Sequence, residues 1–414
     1  MKVEVINTGT EILLGNIVNT HLIFLAQELF PLGLRIDRQV TVPDGDAIRL
    51  ALLESFSRAD IVIVTGGLGP TTDDITREIT AELFGMELEL DPGVLQAIEA
   101  RFARRAIKLT DRVKRQARVP HGAMVLPNAY GTAPGLYFDL AQSEKIRGSS
   151  FIARHLFLLP GPPRELKPMY ADSVVPVLKK ILPVGEVPEC RTYRIASLGE
   201  SNVEAMVGEE LLAIDGIELG YCARPGEVDV RVIGSKAVVG RAEEIVLRHL
   251  GKHIVSQDNE SLEQVVVKRL AERKETLAVA ESCTGGFLAN RITNVSGASQ
   301  IFLEGFVTYA NEAKVRALGI DLALIEANGA VSAEVATAMA GNARRLASAD
   351  YAISTTGIAG PTGGTEQKPV GTVFIALASK YAATIVQRHV FPTDRETFKW
   401  LVTQTALDLL RKQL

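Results

Sequence analysis

Residues 60–67 read DIVIVTGG, an unbroken β-branched run that ends on two glycines. A run with no polar alternation suits a strand buried on both faces, and such strands belong to parallel sheets covered by helices on either side. The flanking chain repeats the theme. VEVINTG (3–9) is a short apolar run, and THLIFLAQEL (20–29) has helical spacing with Gly33 placed as a stop. RIDRQVTV (35–42) alternates like a strand, and Asp44 is placed to cap DAIRLALLESF (46–56). Asp73 or Asp74 is placed to cap ITREITAELF (75–84), which Gly85 ends. HLFLLPGPP (155–163) and the amphipathic RELKPMYADSVVPVLKKIL (164–182) complete the pattern. This βαβα alternation predicts a doubly wound α/β domain over residues 1–180, with its site at the carboxyl ends of the strands.

The texture then changes. Residues 181–255 contain short strands (TYRIASLG, GIELGYCARPG, EVDVRVIGS) and one helix, VGRAEEIVLRHLG, which predicts a small α+β domain. Alternation returns over 256–414, predicting a second α/β domain that ends in the helix TDRETFKWLVTQTALDLLRKQL. Three domains suit a chain of 414 residues. With 45 basic and 49 acidic residues there is no global field for nucleic acid or a membrane surface. Three cysteines without a C-x-x-C argue against disulfides and thiolate zinc, and no apolar run approaches about 18 residues. A soluble, cytoplasmic protein with no membrane partner is expected.

AESCTGG (280–286) sets Ser282, Cys283 and a threonine where a strand turns into a helix. Helical N–H groups at such a turn are available to a developing oxyanion, but a hydroxyl nucleophile needs a base. His389 is the one histidine after residue 256, and it lies in a strand with no acid beside it, so a Ser–His–Asp triad is poorly supported. Lysine is the other base. Tyr309 ends the next strand (EGFVTYA), and Lys314 enters the following helix (NEAKVRALG), so neighbouring strands would bring these ends together. Burial or a nearby positive charge would have to keep the amine neutral, with Tyr309 relaying the proton or orienting the amine. The plainer alternative is that Ser282 caps a helix, Tyr309 packs and Lys314 is solvated. Cys283, without a histidine nearby, reads as structural.

AESCTGG, TNVSGAS, VTYANEAK, NGAVS, TTGIAGPTGG and KPVGTV, with the DR before the last helix, resemble in order the carboxyl-terminal CinA, or PncC, family. The resemblance implies a nicotinamide mononucleotide deamidase of Ser–Lys type that needs no cofactor. It implies Ser282 as nucleophile, Tyr309 and Lys314 in proton transfer, and Thr356 and Arg395 at the substrate. An arginine at a helix start suits a phosphate, with helical N–H groups beside its fork of donors.

In the amino-terminal third, VTGGLGPTTDDIT joins a buried strand, a glycine turn and two carboxylates. Glycines let backbone amides approach a phosphate, and carboxylates hold a hard cation bridging it; capping is the other reading of the acids. NTGTEILLGNIVNTHLIFLAQEL, GGLGPTTDDITRE, PHGAMVLPN, GTAPG and LPGPPRE resemble the CinA amino-terminal, molybdopterin-binding-like domain. That resemblance implies a metal-dependent ADP-ribose pyrophosphatase. Asp73 and Asp74 would bind the metal (magnesium or a similar divalent ion, with potassium as a candidate second ion), and Gly66, Gly67 and Gly69 would cradle phosphate. The middle segment corresponds to the family's KH-like region, yet it is net acidic and lacks the G-x-x-G loop that grips RNA, which disfavours direct nucleic-acid contact. The family resemblance also implies a homodimer. Two other readings stay open: a competence or DNA-damage factor that works by binding nucleic acid or recombination or competence proteins, and a molybdopterin-handling protein.

Overall fold

The computed structural model describes residues 1–106, 108–142, 151–183 and 185–414 and divides into two compact units, Met1–Val187 and Pro188–Leu414.

In the first unit the DIVIVT run is strand β3 (Ile61–Thr65), which lies in a six-stranded sheet. With β1 (Val3–Thr8) and β2 (Ile36–Val42) at the amino end, and β4 (Leu88–Leu90) and β5 (Arg118–Pro120) in a separate ribbon, the sheet is completed by β6 (Met124–Leu126), β7 (Gly135–Asp139) and β8 (His155–Leu159). Its order is β2-β1-β3-β8-β7-β6, parallel across the first four strands and antiparallel through the last two. Every residue of β1, β3 and β8 is buried. The two-residue period of a strand divides β3 between two cores: Ile61 and Ile63 join Leu25, Leu29 and Leu166 on one face, while Val62 and Val64 join Ile48, Leu52 and Phe56 on the other. This is the doubly wound arrangement read from the sequence. Chain order reverses between β1 and β3, so a crevice opens where those two strands and β8 end.

The predicted caps are replaced by other contacts. Asp44 accepts from the Thr10 amide at 3.1 Å and its hydroxyl at 3.2 Å, and helix Asp46–Phe56 starts after Gly45 without a side-chain cap. Neither Asp73 nor Asp74 caps helix Thr76–Leu83, which is preceded by Ile75.

The second unit holds two sheets. Strands β9 (Glu189–Ala196), β10 (Glu218–Arg224), β11 (Glu227–Gly234) and β12 (Ile254–Ser256) form an antiparallel sheet in the order β10-β11-β9-β12, with helices Glu200–Leu212 and Lys236–Leu250 packed on it. Strands β13 (Leu277–Glu281), β14 (Phe302–Val307), β15 (Tyr351–Gly357), β16 (Thr372–Ser379) and β17 (Ile385–Val390) form the other in the order β14-β13-β15-β16-β17. The first three are parallel, and β15, β16 and β17 run antiparallel to one another in turn. Leu277 and Val279 face the core built by helices Leu262–Arg273 and Arg395–Arg411. Ala278 and Ala280 face the alanine-rich helix Ala333–Leu346, where small residues on both sides allow close approach. The last helix also ties the two sheets together. Gln404 donates to Glu227 at 2.6 Å, Trp400 to the Pro225 carbonyl at 3.0 Å, and Ser197 donates to Asp408 at 2.6 Å.

Candidate functional site

Strand β13 ends at Glu281, and its parallel neighbours β14 and β15 end beside it: Glu281 is in register with Val307 and Thr355. The next residue, Ser282, is 8% exposed, and its amide donates to the Thr355 carbonyl at 2.9 Å. Lys314 rises from helix Asn311–Leu318, which follows β14, and is 1% exposed. Its Nζ lies 3.1 Å from Ser282 Oγ, 2.9 Å from the Thr308 carbonyl and 3.3 Å from the Tyr309 carbonyl. Among the described residues it has no ion-pair partner within 4 Å. Burial lowers the Lys314 pKa, against the opposing pull of Cys283 and Glu312. Protonated, the ammonium would offer one N–H to each of the three acceptors. Neutral, it offers two N–H bonds to the carbonyls and directs its lone pair at the serine hydroxyl, the geometry of a general base.

The capping alternative for Ser282 fails. Helix Phe287–Thr293 begins after Gly286, and the side chain that meets its first turn is that of Glu281. This fully buried carboxylate accepts from the amides of Gly286 at 3.0 Å, Leu288 at 3.0 Å and Ala289 at 2.8 Å. The helical amides expected for an oxyanion are therefore occupied. Among the described residues no backbone carbonyl accepts from the amides of Cys283 and Thr284 on the turn itself, and the Cys283 amide lies against its own thiol. Sequence reading overlooked Glu281; its one signal was an acid closing an apolar strand just before a glycine turn. Cys283 is buried, and that burial pushes its thiol up to about 12, which leaves no thiolate at neutral pH. His389 lies on β17, three strands from β13, stacked on Phe391 and bonded to Gln387.

The remaining predicted residues stand as follows. Tyr309 is 60% exposed, and its hydroxyl meets Arg395 Nη2 at 2.6 Å, so its carbonyl rather than its phenol reaches Lys314. Arg395 also donates to the Gly360 carbonyl at 2.9 Å. It opens the last helix, but Asp394 already accepts from the amides of Glu396 and Thr397 at 3.0 Å each, so the guanidinium, not the helix end, remains for an anion. Thr356 is buried on β15 and donates to the Ala330 carbonyl at 2.7 Å.

In the first unit, a cavity of about 610 Å³ opens at the ends of β1, β3 and β8, lined by Thr8, Gly66, Gly67, Gly69, Asp73 and Asp74 among others. Gly66 and Gly67 have φ of 105° and 67°, and a Cβ on Gly67 would collide with the Thr76 hydroxyl, so the turn needs glycine for backbone and space alike. The Gly66 amide donates to Leu159 at 2.9 Å and is not free for phosphate; those of Gly67 and Gly69 have no acceptor among the described residues. Asp74 accepts from the Thr71 amide at 3.0 Å and from the Thr71 hydroxyl. Asp73 is exposed, and hydrogen bonding from Thr71 holds its carboxyl below the usual range. Among the described residues no three His, Cys, Asp or Glu side chains converge as a metal cage. The donor set instead fits a magnesium-type ion, which uses one or two carboxylates and takes its other ligands from water and phosphate.

Residues 4–180 match the "Probable molybdopterin binding domain" family, and residues 259–414 match the CinA C-terminal domain. A CinA-like protein of Akkermansia muciniphila is 44% identical over 407 residues, covering 98% of this chain and 96% of its own. The chain belongs to the CinA family. A second CinA-like protein, from Kosmotoga olearia, is 39% identical and covers 100% of this chain and 99% of its own. The crystal structure of competence/damage inducible protein CihA from Agrobacterium tumefaciens shares 34% identity, covers 36% of this chain and 91% of its own, and has a TM-score of 0.35. In this CinA protein the first family match carries the cavity of the amino-terminal sheet, and the second carries the Ser282–Lys314 pair. No helix among the described residues is long and apolar enough to cross a membrane.

Proposed function

We propose that the carboxyl-terminal site hydrolyses the carboxamide of nicotinamide mononucleotide, releasing ammonia and nicotinic acid mononucleotide without a metal. The observation that carries this reading is the buried Lys314 amine 3.1 Å from the Ser282 hydroxyl. Lys314 takes the serine proton as Oγ attacks the amide carbon, and the amides of Cys283 and Thr284 receive the oxyanion. The lysine ammonium then protonates the departing nitrogen, and water, deprotonated by the same amine, releases the acid from the serine ester. The substrate's pyridinium charge favours neutral Lys314, and Arg395 suits its phosphate. Ammonia release from the nucleotide by purified protein in chelator tests the proposal, and its absence would overturn it.

The amino-terminal cavity supports a second reading, a metal-dependent ADP-ribose pyrophosphatase. Its support is the glycine turn with two open amides beside the acid pair, at the strand ends where α/β sheets bind ligands. Asp73 and Asp74 would hold the divalent ion, which when bound neutralises charge on the pyrophosphate oxygens. Gly67 and Gly69 would hold phosphate, and Thr71 orients the acid pair. Cleavage of ADP-ribose that depends on added magnesium is the test. Both activities would return pieces of broken-down pyridine dinucleotides to use, a role that suits the homodimer implied by the family resemblance and the cytoplasmic setting expected from composition.

A further inference from the structure

The same cavity contains a carboxylate that the reading above leaves without a task. Glu165 lies on helix Pro163–Met169, just beyond the turn that ends β8, and is 8% exposed. One of its oxygens is fixed. Asn128 donates Nδ2 to Glu165 Oε2 at 2.8 Å and to the Ala133 carbonyl at 2.7 Å, while Asn128 Oδ1 accepts from the amides of Tyr130 at 3.0 Å and Gly131 at 2.7 Å. Gly131 packs so tightly on this carboxylate that a Cβ there would collide with Oε2. The other oxygen, Oε1, has no hydrogen-bond donor among the described residues; the Arg164 Nε is 3.9 Å away on an exposed side chain.

The other acids of the cavity are placed differently. Glu11 and Asp73 are exposed, and Asp44 and Asp74 each give one oxygen to a neighbouring threonine at the exposed rim. Glu165 alone combines burial, a rigid brace on one oxygen and an open second oxygen. Gln116 provides an independent sign that the cavity is built for a polar occupant. It is 1% exposed, its Nε2 is anchored on the Leu68 carbonyl at 3.1 Å, and its Oε1 is buried with no partner.

We infer that Glu165 is the general base of the amino-terminal site, orienting and deprotonating the water that attacks a pyrophosphate. The inference rests on the pyrophosphatase reading. The water oxygen bonds to phosphorus as its proton passes to Glu165 Oε1. The bridging P–O bond breaks, its electron pair leaves on the departing phosphate, and ADP-ribose becomes AMP and ribose 5-phosphate. Asn128 and Gly131 act as positioning residues, holding Oε2 so that Oε1 faces the cavity.

Steady-state cleavage of ADP-ribose with magnesium tests this on the full chain. Glu165→Gln keeps an oxygen for Asn128 and removes the basic one, so kcat should fall by about 100-fold or more with KM within about threefold. Gly131→Ala leaves the acid intact but pushes on it, and should lower kcat by about tenfold, again with little change in KM. Full kcat in Glu165→Gln, or a loss confined to KM in either variant, overturns the base. If Glu165→Gln misfolds on thermal unfolding, Gly131→Ala decides alone, and wild-type kcat there overturns the inference. No cleavage by wild type defeats the pyrophosphatase reading itself, an outcome distinct from cleavage that ignores Glu165.

Discussion

Arg395 Nη2 donates to the Tyr309 hydroxyl at 2.6 Å, and this bond turns the phenol toward the last helix rather than toward the Ser282–Lys314 pair. The Tyr309 main chain still touches Lys314, through its carbonyl at 3.3 Å. This geometry favours a brace on Arg395, the arginine proposed to meet the substrate's phosphate, over a proton relay through the phenol, one of the two roles that spacing offered Tyr309. Tyr309→Phe should therefore raise KM for nicotinamide mononucleotide several-fold while kcat falls less than about tenfold; a relay predicts a kcat loss of about 100-fold or more with KM unchanged.

Ser282 and Cys283 are adjacent nucleophile candidates that the structure separates by environment. The serine hydroxyl faces a lysine amine, whereas the thiol is buried and pushed up to about 12. Ser282→Ala should abolish ammonia release, and Cys283→Ala should keep it within about fivefold. Trapping an acyl intermediate on the intact protein by mass spectrometry would locate the ester, and a label on Cys283 would reverse the assignment.

Much of this was legible from local pattern. The DIVIVT run announced a two-faced strand because burial on both sides removes polar alternation, and the two strand-to-helix turns lay where sheet sites form. The meeting of Ser282 and Lys314 needed only that β13 and β14 be neighbours. Capping failed as a local rule. Asp44, Asp73 and Asp74 each had the composition of a cap but bond elsewhere or lie exposed, while Glu281 reaches forward across a glycine turn to the helix that Ser282, on the plainer alternative, would cap. The brace of Asn128 on Glu165 spans 37 positions, and no period or motif encodes such a pairing.

The lowered pKa of Lys314 fixes the sign of the pH response. Burial disfavours the ammonium, so the neutral amine accumulates at a lower pH than in free lysine, whose pKa is about 10.4. The kcat for deamidation should rise with pH and level off at a midpoint below that value. Lys314→Arg, always protonated, should lie at least about 100-fold below wild type at every pH. The unfolded chain binds this proton more tightly, so the same group makes stability fall as pH drops from about 10.4 to the folded midpoint and then level off. A kcat that does not change from about pH 6 to about pH 10, roughly the span of a lysine limb, would remove Lys314 as the base.

Glu281 stabilises the turn that presents Ser282. Its carboxylate satisfies three amides at the start of helix Phe287–Thr293, bonds to a charged acceptor in a buried setting. Glu281→Gln removes the charge and one acceptor oxygen, and should cost about 2–4 kcal/mol. Urea unfolding followed by the fluorescence of Trp400, the single tryptophan, reads the unit concerned. A change below about 0.5 kcal/mol would mean that other donors or water replace the carboxylate.

Asp74→Ala tests whether the two proposed activities use separate chemistry. Asp74 lines the amino-terminal cavity and accepts from Thr71, whereas Ser282 and Lys314 lie in the other compact unit. Removing the carboxylate takes away one candidate ligand for a divalent ion and frees the Thr71 amide, leaving the turn itself to Gly66 and Gly67. Magnesium-dependent cleavage of ADP-ribose should fall by at least about 100-fold, in line with loss of a group that holds a catalytic ion. Ammonia release from nicotinamide mononucleotide should stay within about twofold, because no residue of the Ser282 site depends on Asp74. Isothermal titration of magnesium in the presence of a non-cleavable ADP-ribose analogue would show whether the loss follows ion binding. Unchanged ion affinity with lost cleavage would move Asp74 from ligand to loop brace, and parallel loss of both activities would argue for one shared site in place of two.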